Sequence, residues 1–170
     1  MNYSEFYQNS IQNPERFWAE QAQSVEWFAP PTNIISQNQD GYPQWFADGL
    51  INVGYLALDK HIQDGFGEQI AFIYDSPVTQ TVKKYTFNEV KSEVARLAGG
   101  LLSLGLEKSD TAVIYMPMIP QAAFAMLACA RIGVTHSVVF GGFAPHELVI
   151  RIDDCQPKVI ITASSGIEID

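Results

Sequence analysis

The feature that most constrains the fold is a regular alternation of apolar and helical segments after residue 66. Apolar residues dominate 111–115, 137–140 and 158–162, and helical spacing fills the intervals at 121–132 and 145–154. Continuous apolar strands separated by helices are typical of parallel strands joined by right-handed crossovers. The sequence therefore predicts an α/β fold with a partial, doubly wound, mostly parallel sheet.

Two further strands and a helix are predicted before that alternation. Residues 69–74 and 83–85 have strand character and are separated by turn formers. Thr86 and Glu89 have the spacing of a capping box, which predicts that a helix begins there. Apolar residues then recur at three- and four-residue steps until Gly105, which is expected to end the helix.

The helix predicted at 121–132 is apolar on almost every side. Pro120 suits its first turn and Gly133 its end. The longest apolar run, 122–130, is far shorter than the about 20 residues that span a bilayer, so it predicts a buried helix. Cys129 lies within this run and is expected to be a packed core thiol.

Residues 1–66 differ in composition from the rest of the chain. They hold twelve of the twenty aromatic residues, including Trp18, Trp27 and Trp45, and no regular apolar repeat. Rings mixed with turn-forming residues predict an aromatic-rich N-terminal extension, an arm with short helices that lays its rings on another surface.

Charge and cysteine content exclude several classes of protein. With 10 Lys+Arg against 19 Asp+Glu, the chain has a formal net charge of −9, which argues against binding nucleic acid or an anionic membrane. Two cysteines, Cys129 and Cys155, are too few for a disulfide framework or a zinc ribbon. The N-terminus has no basic segment followed by an apolar one, so the expected location is cytoplasmic.

One segment has the setting of a ligand site. Phe140, Gly141 and Gly142 leave a predicted strand and enter a predicted helix, at the sheet edge where ligands of open α/β sheets bind. Glycines let a ligand approach the backbone, and free amides at a helix start favour an anionic group. A Gly-Gly pair after a strand is a weak signal by itself, because most such pairs only turn the chain.

No catalytic or metal-binding residues can be assigned from spacing. The chain has no P-loop and no dinucleotide-binding glycine pattern. His61, His136 and His146 lack metal-ligand spacing, and His136 is better interpreted as a core or rim residue than as a general base. Asp153 and Asp154 are interpreted as part of a solvated helix face.

The segments that carry most information about a family are residues 84–90, 114–120, 125–133 and 136–143. Together they resemble the N-terminal region of short-chain acyl-CoA synthetases of the AMP-forming, adenylate-forming superfamily. The resemblance covers nearly the whole chain, as the N-terminal extension at 1–66 and the first part of the AMP-binding domain at 67–170, truncated. Residues 73–79 and 151–160 resemble the propionate-type branch more closely than the acetate-type branch.

The resemblance implies a ligase that activates propionate or acetate with ATP and Mg, and transfers the acyl group to coenzyme A. Phe140, Gly141 and Gly142 match the segment that borders the coenzyme A channel of this family. The family's phosphate loop, acyl pocket and mobile C-terminal domain have no counterpart in these 170 residues. The chain alone is therefore expected to be inactive.

The end of the chain leads to a further expectation. No helix is predicted after the strand at 158–162, so one sheet face is expected to be uncovered and the chain to self-associate. We therefore expect a front piece of a longer enzyme. Two alternatives stay open: a free-standing module that binds coenzyme A or a nucleotide, and a structural or oligomerisation piece.

Overall fold

The computed structural model describes residues 2–142 and 144–166. The chain divides into two compact units, residues 1–51 and residues 52–170, with the boundary between Ile51 and Asn52. Residues 167–170, on which part of the expectation of an uncovered sheet face depends, lie outside the described residues.

The first unit contains two helices and a short hairpin. Helix α1 (Tyr3–Gln12) begins with a capping box in which Asn2 accepts from the Glu5 amide. Helix α2 (Pro14–Ala22) has proline in its first turn. Strands β1 (Ile35–Gln37) and β2 (Pro43–Trp45) are antiparallel. The first unit thus contains short helices, as expected, and in addition a short antiparallel hairpin.

Aromatic rings of the first unit pack against one another. The Phe17 ring lies 4.7 Å from that of Phe6 and 5.2 Å from that of Trp18, both edge to face. Trp18 in turn meets Trp45 at 6.0 Å, so the cluster joins the helices to the hairpin. Edge-to-face pairs at these separations stabilise beyond their buried area. Packing onto another surface stays a prediction.

The second unit begins with helical turns and a hairpin. Two short π-helical segments, Tyr55–Asp59 and Ile62–Phe66, precede the antiparallel strands β3 (Ile70–Ser76) and β4 (Thr81–Thr86). Helix α3 (Phe87–Ser103) follows, and the predicted capping box at its start is present. Gly105 after α3 has a φ of 83°, a left-handed conformation that suits glycine.

The remaining elements form a parallel sheet with the order β6-β5-β7. Its strands pair in register, with Tyr115 opposite both Val139 and Thr162. This sheet confirms the predicted α/β fold. The elements are β5 (Thr111–Met116), α4 (Pro120–Ile132), β6 (Thr135–Phe140), α5 (Pro145–Cys155) and β7 (Val159–Thr162).

The core lies between this sheet and helices α3 and α4. Ala112 of β5, Val94 of α3 and Ala128 of α4 belong to one buried cluster, each with almost no exposed surface. Cys129 is fully buried in the same cluster, as predicted, and burial raises the pKa of its thiol. In the part of the chain that the structure describes, no helix has both the length and the apolar character to cross a membrane.

Candidate functional site

The strand order places a topological switch point at the carboxyl ends of β5 and β6. Helix α4 carries the chain from β5 to β6, and α5 carries it back past β5 to β7. Since such crossovers are right-handed, the two helices lie on opposite faces of the sheet. The loops after two adjacent strands then diverge, which opens the crevice where ligands of α/β sheets bind.

A cavity of about 460 Å³ lies at this edge. The ends of all three parallel strands contribute to its wall, together with the end of β3. All three residues predicted as a binding segment line it. The lining residues are Tyr74, Asp75, Ser76, Pro77, Val78, Tyr115, Met116, Pro117, Met118, Phe140, Gly141, Gly142, Thr162, Ala163, Ser165 and Gly166.

Gly141 lies directly against the backbone at the end of β5. A Cβ at residue 141 would come within 2.9 Å of the Met116 carbonyl oxygen and 3.1 Å of the Pro117 nitrogen. The Tyr115 hydroxyl donates a hydrogen bond of 3.3 Å to the Gly141 carbonyl oxygen. Glycine at 141 is therefore required by contact between the two strand exits.

Gly142 has a different neighbour. A Cβ at residue 142 would come within 2.7 Å of the Phe140 ring, which is 58% exposed. The space beside both glycines is thus taken by the protein itself. A ligand at this turn would meet peptide groups and the Phe140 ring.

The chemistry of the lining is mostly apolar. Among the described residues of the wall, Asp75 is the only charged one. Its carboxylate is negative, like a phosphate, so it would repel a phosphate group. Met116, Met118 and Phe140 offer polarisable and aromatic surface. This cavity suits an uncharged, flexible ligand segment better than a phosphate.

The other candidate residues lie elsewhere. His136 stands on β6 opposite Ala112, and burial lowers the pKa of its imidazole. Asp153 and Asp154 are exposed on α5. Within residues 2–142 and 144–166, no three His, Cys, Asp or Glu side chains are grouped to hold a metal ion.

A charge cluster around the buried Asp59 carboxylate was not predicted from the sequence. Arg131 donates to both carboxylate oxygens of Asp59, at 2.5 and 3.1 Å, and Lys91 Nζ lies 2.9 Å from Oδ1. These contacts fix the Tyr55–Asp59 segment to α3 and α4. No local pattern reveals the pair, because 72 residues separate Asp59 from Arg131.

Comparison with known proteins adds to this geometry. The family described as AMP-binding enzyme matches residues 60–169. The chain belongs to this family. Residues 3–57 match the family described as acetyl-coenzyme A synthetase N-terminus, so an AMP-binding segment follows the N-terminal region of that synthetase family.

Curated relatives of this member of the AMP-binding enzyme family are much longer. An uncharacterized protein of Pseudomonas aeruginosa is 57% identical over all of the chain and 27% of its own length. The human acyl-CoA synthetase short-chain family member 3, mitochondrial, is 50% identical over 98% of the chain and 24% of its own length. The acetyl-coenzyme A synthetase of Pseudoalteromonas atlantica is 44% identical over 98% of the chain and 26% of its own length. The chain thus spans about a quarter of these relatives.

Proposed function

We propose that this chain is the N-terminal part of an AMP-forming short-chain acyl-CoA ligase. The main support for this proposal is the cavity at the switch point of β5 and β6. Its lining residues lie within the segment that matches the AMP-binding enzyme family. The human relative, an acyl-CoA synthetase, and the Pseudoalteromonas relative, an acetyl-coenzyme A synthetase, support the same chemistry.

The proposed reaction has two steps. An oxygen of the substrate carboxylate forms a bond to the α-phosphorus of ATP, and pyrophosphate leaves with the electrons of the broken P–O bond. The thiolate sulfur of coenzyme A then bonds to the acyl carbon, and AMP leaves with the electrons of the broken bond between that carbon and the phosphate oxygen. Positioning of the reactants and neutralisation of charge would supply most of the catalysis in the first step, and Mg would neutralise phosphate charge.

We assign the cavity to the uncharged pantetheine arm of coenzyme A. Phe140 would cover the arm with its exposed ring, while Gly141 and Gly142 would offer peptide groups for hydrogen bonds. The acidic Asp75 in the wall disfavours the phosphates of ATP and coenzyme A at this place. Those phosphates would be bound outside this cavity.

Several finer points belong to the same proposal. Propionate is preferred to acetate, because residues 73–79 and 151–160 resemble the propionate-type branch. Residues 1–66 act as the N-terminal extension and 67–170 as the first part of the AMP-binding domain. The location is cytoplasmic, although the human relative is named mitochondrial. The 170 residues alone are inactive.

A chimera tests the proposal. The chain replaces the matching quarter of the Pseudoalteromonas acetyl-coenzyme A synthetase, and formation of acyl-CoA and pyrophosphate is followed with ATP, coenzyme A and either acid. We expect a folded chimera to form acyl-CoA, and the chain alone to form none. A folded but inactive chimera would contradict the proposal. The choice between propionate and acetate is measured instead in the enzyme that contains its own acyl pocket, where equal use of both acids would contradict the propionate preference alone.

The cavity also supports a second candidate function, in which the chain is a free-standing module that binds coenzyme A or a nucleotide. Calorimetry of the chain with coenzyme A, with pantetheine and with ATP distinguishes the ligands. Heat with coenzyme A and pantetheine but none with ATP is expected from the apolar wall. Absence of heat with coenzyme A and pantetheine would remove this second function.

A further inference from the structure

Tyr115 occupies a central place at the candidate site. It is the penultimate residue of β5, the middle strand, and its neighbours in register are Val139 on β6 and Thr162 on β7. Its side chain is partly buried and lines the cavity. A rigid ring anchored in the middle strand can therefore reach the loop that follows the neighbouring strand.

The Tyr115 hydroxyl contacts the peptide that joins the two glycines. It donates to the Gly141 carbonyl oxygen at 3.3 Å, and that carbonyl shares a planar trans peptide with the Gly142 N–H. In such a peptide the C=O and N–H point in opposite directions. A hydrogen bond that holds the carbonyl therefore also sets the direction of the Gly142 N–H.

A second contact limits movement of the same peptide. Gly141 packs against the Met116 carbonyl so closely that a Cβ would come within 2.9 Å of it. This contact restricts translation of the turn, while the Tyr115 hydrogen bond restricts its rotation. Two glycines in sequence would otherwise be free to adopt many backbone conformations.

We propose that Tyr115 is a positioning residue that fixes the Gly141–Gly142 peptide for binding of the coenzyme A arm. This inference rests on the proposed function of the cavity. Tyr115 acts through the glycine peptide, so its loss weakens coenzyme A binding and leaves ATP and carboxylate binding as they were.

The test is Tyr115→Phe in the chimera, which removes the hydroxyl and keeps the ring. We expect the KM for coenzyme A to rise about threefold to tenfold, the loss that follows from one hydrogen bond. The KM values for ATP and the acid should stay within a factor of two of the parent. Hydrogen exchange in the peptide that covers Gly142 should become faster.

Tyr55→Phe is the matched control, since the Tyr55 hydroxyl donates to Gln63 at 2.9 Å and does not line the cavity. It should change neither the KM for coenzyme A nor exchange at Gly142. An unchanged KM and unchanged exchange in Tyr115→Phe would overturn the inference, as would an equal rise in all three KM values. An inactive parent chimera would contradict the proposed function instead, and exchange at Gly142 would still decide whether Tyr115 holds the turn.

Discussion

At the scale of single residues, Asp59 shows how burial and charge depend on each other. Its side chain is 9% exposed and contacts two cations, Arg131 and Lys91. The Arg131 guanidinium, with a smaller effect from Lys91, lowers the pKa of the Asp59 carboxyl against the opposing effect of burial. The charged form is therefore the one that the fold stabilises.

Asp59→Asn should destabilise the chain by about 1.5–3 kcal/mol, the value of hydrogen bonds to charged groups. The folded pKa lies below that of the unfolded chain, so the stabilisation is complete above the unfolded value, about 3.9. It is lost as the pH falls through the folded pKa. Urea unfolding between pH 2 and pH 7 measures both effects.

The control is Asp64→Asn, which removes an exposed i,i+4 pair with Lys60. Such surface pairs contribute about 0–1 kcal/mol, so this variant should stay close to the parent. Equal losses in both variants would contradict the assignment of the larger effect to the buried Asp59 carboxylate.

Asp48 of the first unit offers a second test at this scale. The Thr32 hydroxyl donates to its carboxylate, as do the amides of Thr32 and Asn33 at 3.0 and 3.1 Å. The Thr32 side-chain bond, followed by the Asn33 amide, lowers the pKa of Asp48 to about 2.

Thr32→Val should raise the pKa of Asp48 toward 3.8, because the hydroxyl donor is lost. Thr32→Ser keeps the donor and should leave the pKa at about 2. Carboxyl carbon chemical shifts followed by NMR from pH 1.5 to 6 measure both variants. The same midpoint in both would show that the hydroxyl does not cause the shift.

At the scale of elements, the turn after β6 depends on the end of β5. Gly141 faces the Met116 main chain, whereas Gly142 faces the Phe140 side chain. A strand end cannot move without disturbing its hydrogen bonds to both neighbours, but a largely exposed ring can rotate. The two adjacent glycines therefore differ in what a methyl group would displace.

Gly141→Ala should destabilise the chain by about 1–3 kcal/mol, because the added methyl overlaps with backbone. Gly142→Ala should destabilise the chain by less than about 1 kcal/mol, because the Phe140 ring can move aside. That value is the approximate energy of a changed side-chain rotamer. Thermal unfolding of both variants gives the comparison. A larger loss in Gly142→Ala would contradict the arrangement of the turn.

At the scale of the whole molecule, the outer strands of the parallel sheet leave apolar side chains exposed. Val138 and Phe140 on β6 and Ile160 on β7 are 54%, 58% and 43% exposed. Val138 pairs with Ile114 and Ile160 with Val113, so the two side chains lie on opposite faces of the sheet. Exposed apolar surface on both faces favours contact with another protein segment.

The isolated chain should therefore bind a hydrophobic dye and self-associate as its concentration rises. Val138→Thr combined with Ile160→Thr should reduce both effects, because it removes exposed apolar surface while keeping β-branched side chains. Dye fluorescence and light scattering measure them. A monomer that binds no dye at any concentration would contradict this expectation.

Local chemistry in the sequence determined where several elements begin and end. Thr86 with Glu89 predicted the start of α3, and Gly133, with a φ of 74°, the end of α4. A cap or a left-handed glycine acts within a few residues, so the sequence displays it directly. The parallel orientation of the apolar strands follows from the helices between them, whereas their order β6-β5-β7 does not.

Tertiary structure alone decided which distant residues meet. The Asp59–Arg131 pair spans 72 residues and the Tyr115–Gly141 contact spans 26. Neither leaves a periodic signal, because each depends on how complete elements pack and pair. The sequence thus determined the α/β fold and the glycine turn as a candidate site. Only the tertiary structure shows that β5 holds Gly141, because that contact forms only when β5 and β6 lie side by side.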